Sequence, residues 1–364
     1  MKAVLLVGGE GTRLRPLTCN TVKAMVPILN RPFLEHLLRY LSSYGVDDII
    51  LAMCYLPDRI ESYFGDGSRF GVKLTYVMEE SPLGTAGAVK NAEEHLDDRF
   101  LVFNGDIFTD IDLGDMLAFH RRNQATATIA LTPVEDPTAY GVVETEPDGR
   151  VRRFVEKPSR EEVTSNRINA GIYILEREVL GGIPLGTHFM FEHNLFPQLL
   201  AAGARVYGYD SDGYWIDIGT PEKYLQVHLD LLEGRGTTAL MDRLACATAC
   251  PGAEGTIHPT ALVEGQVVFG EGCSVGPGVH IRGPVAVGDG CRILADAVVD
   301  SAVLWPNVQV GKAARLTKCV VGLNSRIGDG SRVEEGSIVA DNVTIPERSH
   351  LAPESRVWPD EDRR

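Results

Sequence analysis

The residues best placed to do chemistry stand in three short strings. Residues 8–23 read GGEGTRLRPLTCNTVK: a glycine-rich loop, two arginines, a hydroxyl residue and, farther on, a lysine. Asn104-Gly105-Asp106 closes an apolar run that begins at Phe100, and Asp217 stands as a single acid among apolar neighbours in YWIDIGTP, residues 214–221. Gly8, Gly9 and Gly11 allow a tight turn that brings backbone N–H groups against an anion. Arg13, Arg15 and Lys23 add fixed positive charge to a chain that is otherwise acidic. The two aspartates offer the hard oxygens that Mg²⁺ takes in small number, completing its shell with phosphate and water. Together these types specify a loop for polyphosphate with acids for its metal. Either aspartate alone could equally cap a helix or a turn.

The loop is neither of the two commonest phosphate loops. A Rossmann fingerprint would need glycine where Leu14 stands, and a Walker loop would need a Gly-Lys-Ser/Thr that is missing. Further strings follow in order: LGTAG (83–87), preceded by Glu79 and Glu80; Tyr140-Gly141-Val142-Val143; FVEKP (154–158) with Glu156 and Lys157; and NAG (169–171) with Asn169 and Gly171. This ordered set closely resembles the sugar-1-phosphate nucleotidylyltransferases, in particular their GDP-mannose pyrophosphorylase branch. The resemblance covers about residues 1 to 233. It implies that Asp106 and Asp217 bind Mg²⁺ and that Lys157 contacts the sugar phosphate. Glu156, Asn169, Gly171 and Gly141 would then orient the sugar, and Leu6, Gly8, Gly9, Gly11, Thr12, Gly84 and Thr85 line the nucleotide. Glu79 and Glu80 precede the segment where the family reads the base. A carboxylate there suits the N–H donors of guanine, and a solvated pair at a strand end suits it as well. Glu10 departs from the family pattern and receives no role.

Elements must hold these strings at one edge. Lys2–Val7 reads as a buried strand, so the glycine loop leaves a strand's carboxyl end, where open α/β sheets bind ligands. Helices are expected over 33–44, 56–64, 85–96 and 221–233, the last capped by Thr220 with Pro221 at its first position. Strands are expected over 48–53, 72–78 and 100–103, a βαβ alternation that implies a mostly parallel sheet. Residues 125–175 turn strand-rich and read as an inserted substrate-side sheet. From Thr256 the period becomes six: Ile257, Val263, Phe269, Val275, Ile281, Val287, Ile293, Val299 and Trp305. Five-residue steps through Val310 and Val321 shift the register, which resumes from Ile327 to Val357. That period marks a hexapeptide β-helix of about five to six coils. The resemblance adds its left-handed sense. The fold class is therefore a Rossmann-like α/β nucleotidyltransferase domain with a mixed sheet (1–236), a linker (237–256) and a C-terminal left-handed β-helix (257–364).

Composition agrees with an ordinary soluble protein that can bury a sizeable core. The 364 residues are 44% hydrophobic and 23% charged, and a net charge of −15 argues against nucleic acid or anionic membrane as partner. No apolar run approaches a membrane span. Seven cysteines (19, 54, 246, 250, 273, 291 and 319) form no CxxC pair, which makes a reducing cytoplasm the expectation.

The resemblance implies a reaction in which NTP and sugar 1-phosphate give NDP-sugar and pyrophosphate. The phosphate nucleophile is already largely dianionic at neutral pH, its second pKa being about 6, so no general base is needed. Positioning and charge neutralisation should carry the rate, with Arg13 on the β/γ-phosphates and Lys23 bridging the reacting groups. GTP and mannose 1-phosphate are the preferred pair. Uridylyl, thymidylyl or adenylyl transfer to glucose 1-phosphate, or to another sugar or cyclitol phosphate, stays open. Two other classes are a non-catalytic regulatory subunit and a second, acyltransferase, activity in the β-helix. The five charged residues Arg13, Lys23, Asp106, Lys157 and Asp217 argue against the first. His258, His280 and His350 lack a diagnostic setting for the second. The β-helix is instead expected to build a homo-oligomer.

Overall fold

The computed structural model describes residues 1–238 and 255–359. Most of the expected linker, residues 239–254, lies outside the described residues. Contacts divide the chain into two compact units: Met1–Gly9 with Leu37–Trp215, and Glu10–His36 with Ile216–Arg364.

The first unit holds a nine-stranded mixed sheet and its covering helices. Its strands are β1 (Lys2–Leu6), then, past a hairpin of β2 (Pro27–Ile28) and β3 (Arg31–Pro32) that belongs to the other unit, β4 (Asp48–Met53), β5 (Lys73–Met78) and β6 (Arg99–Asn104). After β7 (Ile107–Thr109) come β8 (Ala127–Pro133), β9 (Gly141–Thr145), β10 (Val151–Glu156), β11 (Arg167–Glu176) and β12 (Val206–Asp210). The helices are α1 (Phe33–Ser43), α2 (Pro57–Phe64), α3 (Gly84–Asn91), α4 (Leu113–Arg122) and α5 (Phe196–Ala201). The sheet order is β10-β9-β11-β6-β1-β4-β5, with β8 paired to β11 and β12 paired to β8. The chain runs β1, β4, β5 to one side and returns to β6 on the other flank of β1, so the strand order reverses between β1 and β6. Ligands of open α/β sheets bind outside the carboxyl ends at such a reversal.

Residues 125–175 do not make a separate sheet. β11 runs antiparallel to β6, with Ile172 opposite Phe103 and Leu175 opposite Phe100, and so carries β8 and β9 into the same sheet. The reason is burial on both faces: Ala170 to Leu175 are buried without a break, as a central strand requires. The helix expected over 85–96 also ends early, at Asn91, and Glu93–His95 tightens into a 3₁₀ turn.

The second unit contains the hairpin β2–β3, the helix α6 (Pro221–Leu232, following β13 at Trp215–Asp217) and a three-sided parallel β-helix. Each face of the β-helix is a six-stranded parallel sheet, which gives six coils. One face pairs Ile257, Val275, Ile293, Val310, Ile327 and Ile345 in turn, and the interior is closed by these rows and by Cys273, Cys291 and Cys319. The three thiols stay protonated, Cys273 being pushed up to about 11 and Cys291 and Cys319 to about 12, chiefly by burial.

One anchor differs from expectation. Val287 pairs with Leu304, not with Trp305, and Leu304 pairs with Val321. The first five-residue step therefore falls between Val299 and Leu304. Side chains alternate between the two faces of a strand, so this one-residue shift turns Trp305 to the outside of the coil.

Candidate active site

In the first unit the strand ends at the reversal are in direct contact. Gly105 N–H donates to Leu6 O at 3.0 Å, and a Cβ at Gly105 would stand 2.4 Å from that oxygen. Glycine is required here by space alone. The loop after β1 and the Asn104-Gly105-Asp106 turn after β6 thus share one edge. Asn104 packs against Gly171, where a Cβ would lie 2.7 Å from Asn104 Nδ2. Asn104 Oδ1 is the one buried side-chain nitrogen or oxygen without a hydrogen-bond partner among the described residues. An unsatisfied buried oxygen is costly unless a ligand completes it, and this one stands two residues before Asp106.

The expected sugar side gathers in the same unit. A Cβ at Gly141 would lie 2.8 Å from Glu156 Oε2, so the missing side chain leaves that carboxylate reachable. Burial, and then the charge of Glu192, push the Glu156 carboxyl above its usual range. Lys157, exposed and with Nζ 3.9 Å from Glu156 Oε1, has a left-handed backbone (φ 46°) just before Pro158, a strained conformation for a lysine. Its N–H donates to Tyr140 O at 3.0 Å. Asn169 is committed locally, donating to Tyr173 Oη at 2.8 Å and accepting from Gly171 N–H at 2.9 Å. Trp215 Nε1 donates to Ala170 O at 2.9 Å, tying the end of this strand to the Asn169–Gly171 turn.

On the expected nucleotide side, Glu79 Oε2 accepts from Leu83 N–H at 2.8 Å, and burial pushes this carboxyl up. Glu80 is exposed. Phe189 O accepts from the N–H groups of both Ala86 and Gly87 in the first turn of α3, which Gly84 and Thr85 open. Thr85 Oγ1 donates to Glu192 Oε2 at 3.1 Å. Glu192 escaped sequence reasoning because nothing around it forms a recognisable string.

The second unit gathers the loop cations and Asp217. Gly11 has φ 65°, which only glycine adopts freely, and a Cβ there would lie 3.3 Å from Lys23 Cβ. Thr18 Oγ1 donates to Gly11 O at 2.8 Å and closes the loop. Thr12 begins the short 3₁₀ turn Thr12–Leu14 that presents Arg13 to solvent while burying Leu14. Glu10 faces Arg15 at 4.0 Å and is well exposed. A Cβ at Gly219 would lie 2.9 Å from Asp217 Oδ1 and 3.3 Å from an Arg13 guanidinium nitrogen, so the arginine and the buried carboxylate flank one glycine. Asp217 Oδ1 accepts from Gly219 N–H at 3.1 Å, and Oδ2 meets Lys223 Nζ at 2.6 Å. Lys223 was not singled out from sequence. Its signal was its place on the first turn of a helix capped by Thr220, six residues after the acid.

The residues expected at the site therefore fall into two groups. Leu6, Gly8, Gly9, Glu79, Glu80, Gly84, Thr85, Asp106, Gly141, Glu156, Lys157, Asn169 and Gly171 belong to one unit, and Gly11, Thr12, Arg13, Lys23 and Asp217 to the other. Among the described residues no three His, Cys, Asp or Glu side chains cluster to hold a metal. Asp106, two residues after the orphaned Asn104 oxygen, and Asp217, in the other unit, each offer the hard oxygen donors that a hydrated divalent cation takes.

Residues 2–234 match the family model described as Nucleotidyl transferase, and the chain belongs to that family. Residues 252–351 match the EIF2B subunit epsilon LbH domain, which agrees with the three stacked sheets and a left-handed β-helix. A mannose-1-phosphate guanylyltransferase of Mycobacterium tuberculosis is 43% identical over 77% of this chain and 77% of its own. A mannose-1-phosphate guanyltransferase of Yarrowia lipolytica is 37% identical over 96% and 94%, and a UTP–glucose-1-phosphate uridylyltransferase of Synechocystis is 37% identical over 98% and 96%. Among solved structures, HddC from Yersinia pseudotuberculosis matches with a TM-score of 0.55 and 32% identity, covering 62% of this chain and 97% of that one.

Proposed function

We propose that the protein transfers guanylyl from GTP to mannose 1-phosphate, giving GDP-mannose and pyrophosphate. The observation that carries this reading is the loop of residues 8–23. It joins a strand end at the sheet reversal, closes on Lys23 through Gly11, and sets Arg13 beside Asp217 at Gly219. The base and the sugar follow the relatives of several organisms that bear the guanylyltransferase name.

The sugar phosphate attacks the α-phosphorus while the bond to the β-phosphate oxygen breaks, and pyrophosphate leaves. Both reactants are anions, so the chain's task is to hold them together and neutralise their charge. Lys157 holds the sugar phosphate, Lys23 bridges it to the nucleotide, and Arg13 takes the charge that grows on the leaving pyrophosphate. Glu156 accepts sugar hydroxyls, with Asn169, Gly141 and Gly171 shaping the ring's bed. Leu6, Gly8, Gly9, Gly11, Thr12, Gly84 and Thr85 form the backbone cradle of the nucleotide, and Glu79 and Glu80 stand ready for guanine N–H groups. Asp106 and Asp217 would offer their carboxylates to Mg²⁺, which would shield the charge of the phosphates. The β-helix assembles a homo-oligomer, and its thiol-lined interior suits a reducing compartment such as the cytoplasm.

The test is pyrophosphate release across a panel of nucleoside triphosphates and sugar 1-phosphates. GTP with mannose 1-phosphate should give the highest kcat/KM. A higher value for UTP with glucose 1-phosphate would transfer the assignment to the activity named for the cyanobacterial relative. Lys23→Ala should lower kcat by about 10², the usual cost of one electrostatic stabiliser. Near-normal turnover would remove Lys23 from the chemistry.

A further inference from the structure

The register shift that turns Trp305 out of the β-helix gives it a partner. Trp305 is only 4% exposed, and its Nε1 donates to Tyr224 Oη at 2.9 Å, with the two rings edge to face at 6.3 Å. Tyr224, on α6, is fully buried and its hydroxyl donates to Pro27 O. His228, one turn further along α6, packs on Tyr224 at 4.9 Å and reaches the same carbonyl through Nε2 at 3.2 Å. Its Nδ1 accepts from Leu29 N–H at 3.4 Å, which fixes the tautomer with the proton on Nε2. Asn30 Nδ2 donates to Val287 O of the β-helix at 2.8 Å. Arg356 of the last coil pairs with Glu222 at the start of α6.

These contacts converge on a turn that local preference does not favour. Leu29 and Asn30 both have positive φ (45° and 66°) at the tip of the two-residue hairpin β2–β3. Asparagine tolerates that region, but leucine does not, and a strained turn persists only where its surroundings over-determine it. Leu29 is fully buried and its N–H is held by His228. The hairpin follows directly on the turn Lys23–Met25, whose Lys23 O accepts from Val26 N–H at 3.2 Å, and Val26 O in turn accepts from Phe33 N–H at 2.9 Å.

We propose that the β-helix acts in catalysis within its own chain. Trp305, Tyr224 and Asn30 are positioning residues that brace the β2–β3 hairpin and so fix the place of Lys23. This rests on the assignment of Lys23 to phosphate chemistry. Trp305→Phe keeps an aromatic ring but removes the N–H donor, and Tyr224→Phe removes only the hydroxyl. In the intact chain each should lower kcat about tenfold, since small misplacements of a positioned group cost rate steeply, while KM for both substrates stays within about twofold. Hydrogen exchange of residues 23–33 should rise in both variants, and Asn30→Ala should repeat the pattern should either aromatic variant fold poorly. A merely structural contact would lower the unfolding temperature and leave kcat of the folded fraction unchanged, and that outcome overturns the proposal. Unchanged exchange in residues 23–33 overturns it as well. Full turnover by Lys23→Ala would instead count against the assignment of Lys23, and the exchange measurement would still report whether the brace exists.

Discussion

At the scale of single residues, Asp217 carries the most pointed competition. Its Oδ2 is 2.6 Å from Lys223 Nζ and its Oδ1 accepts from Gly219 N–H, so the carboxylate is already served by a cation of the chain. A divalent metal that uses Asp217 has to compete with that ammonium. Lys223→Gln should therefore lower the half-saturating Mg²⁺ concentration several-fold, whereas Asp106→Asn and Asp217→Asn should raise it or abolish turnover. Magnesium titrations of initial rate, backed by Mn²⁺ binding without substrate, would measure this. Unaltered titrations in both Asn variants would remove the two acids as metal ligands. The local geometry around Arg13, Lys23 and the two aspartates was legible in sequence because each sits in a string whose glycines are required by space or by φ. Lys223 and Glu192 were not. Lys223 meets Asp217 through the turn between a strand and a helix, a signal carried only by helix position, and Glu192 meets Thr85, over 100 residues away in sequence, which leaves no local pattern.

At the scale of elements, α6 is where packing departs most from what periodicity could reveal. Thr220 and Pro221 announced its start correctly, and Thr220 Oγ1 accepts from Lys223 N–H at 3.4 Å. Nothing in the helix announced that Tyr224 and His228 would be fully buried against Pro27, because the hairpin they meet lies some 200 residues earlier. The β-helix was legible nearly to the coil, since its clock is set by stacked backbone. Only one five-residue step lies elsewhere than the period suggests: Leu304 and Trp305 are both apolar, and the pattern alone does not choose between them. His228 gives this region a pH dependence. Burial pushes its pKa down from 6.5 to about 3, so the unfolded chain takes up a proton below pH 6.5 and the folded chain does not until near pH 3. Its contribution is intact above pH 6.5 and is lost progressively below it, by at most about 1.4 kcal/mol per pH unit. The unfolding temperature should thus fall less steeply between pH 6.5 and 4.5 in His228→Gln than in the parent. Parallel slopes would show that His228 is not buried as a neutral ring.

At the scale of the whole molecule, the chain's sequence order and its compact units do not coincide. Residues 10–36, which carry Arg13 and Lys23, cluster with the β-helix rather than with the sheet that precedes and follows them. A reading of composition and period along the chain cannot see this, because it assigns each segment to its neighbours in sequence. The arrangement also changes how assembly should be tested. Deleting residues 257–364 would remove Trp305 and Val287 together with any subunit contact, so loss of activity and loss of assembly would be confounded. Point substitutions on the outer surface avoid that. Leu262 in the first coil is 49% exposed and Trp358 beyond the last strand is 37% exposed, apolar side chains of the kind that a second subunit covers. Leu262→Glu or Trp358→Glu should lower the mass per particle seen by light scattering, while hydrogen exchange of residues 23–33 stays as in the parent. An unchanged particle mass in both variants and in their combination would place the assembly surface elsewhere than on these two ends of the β-helix.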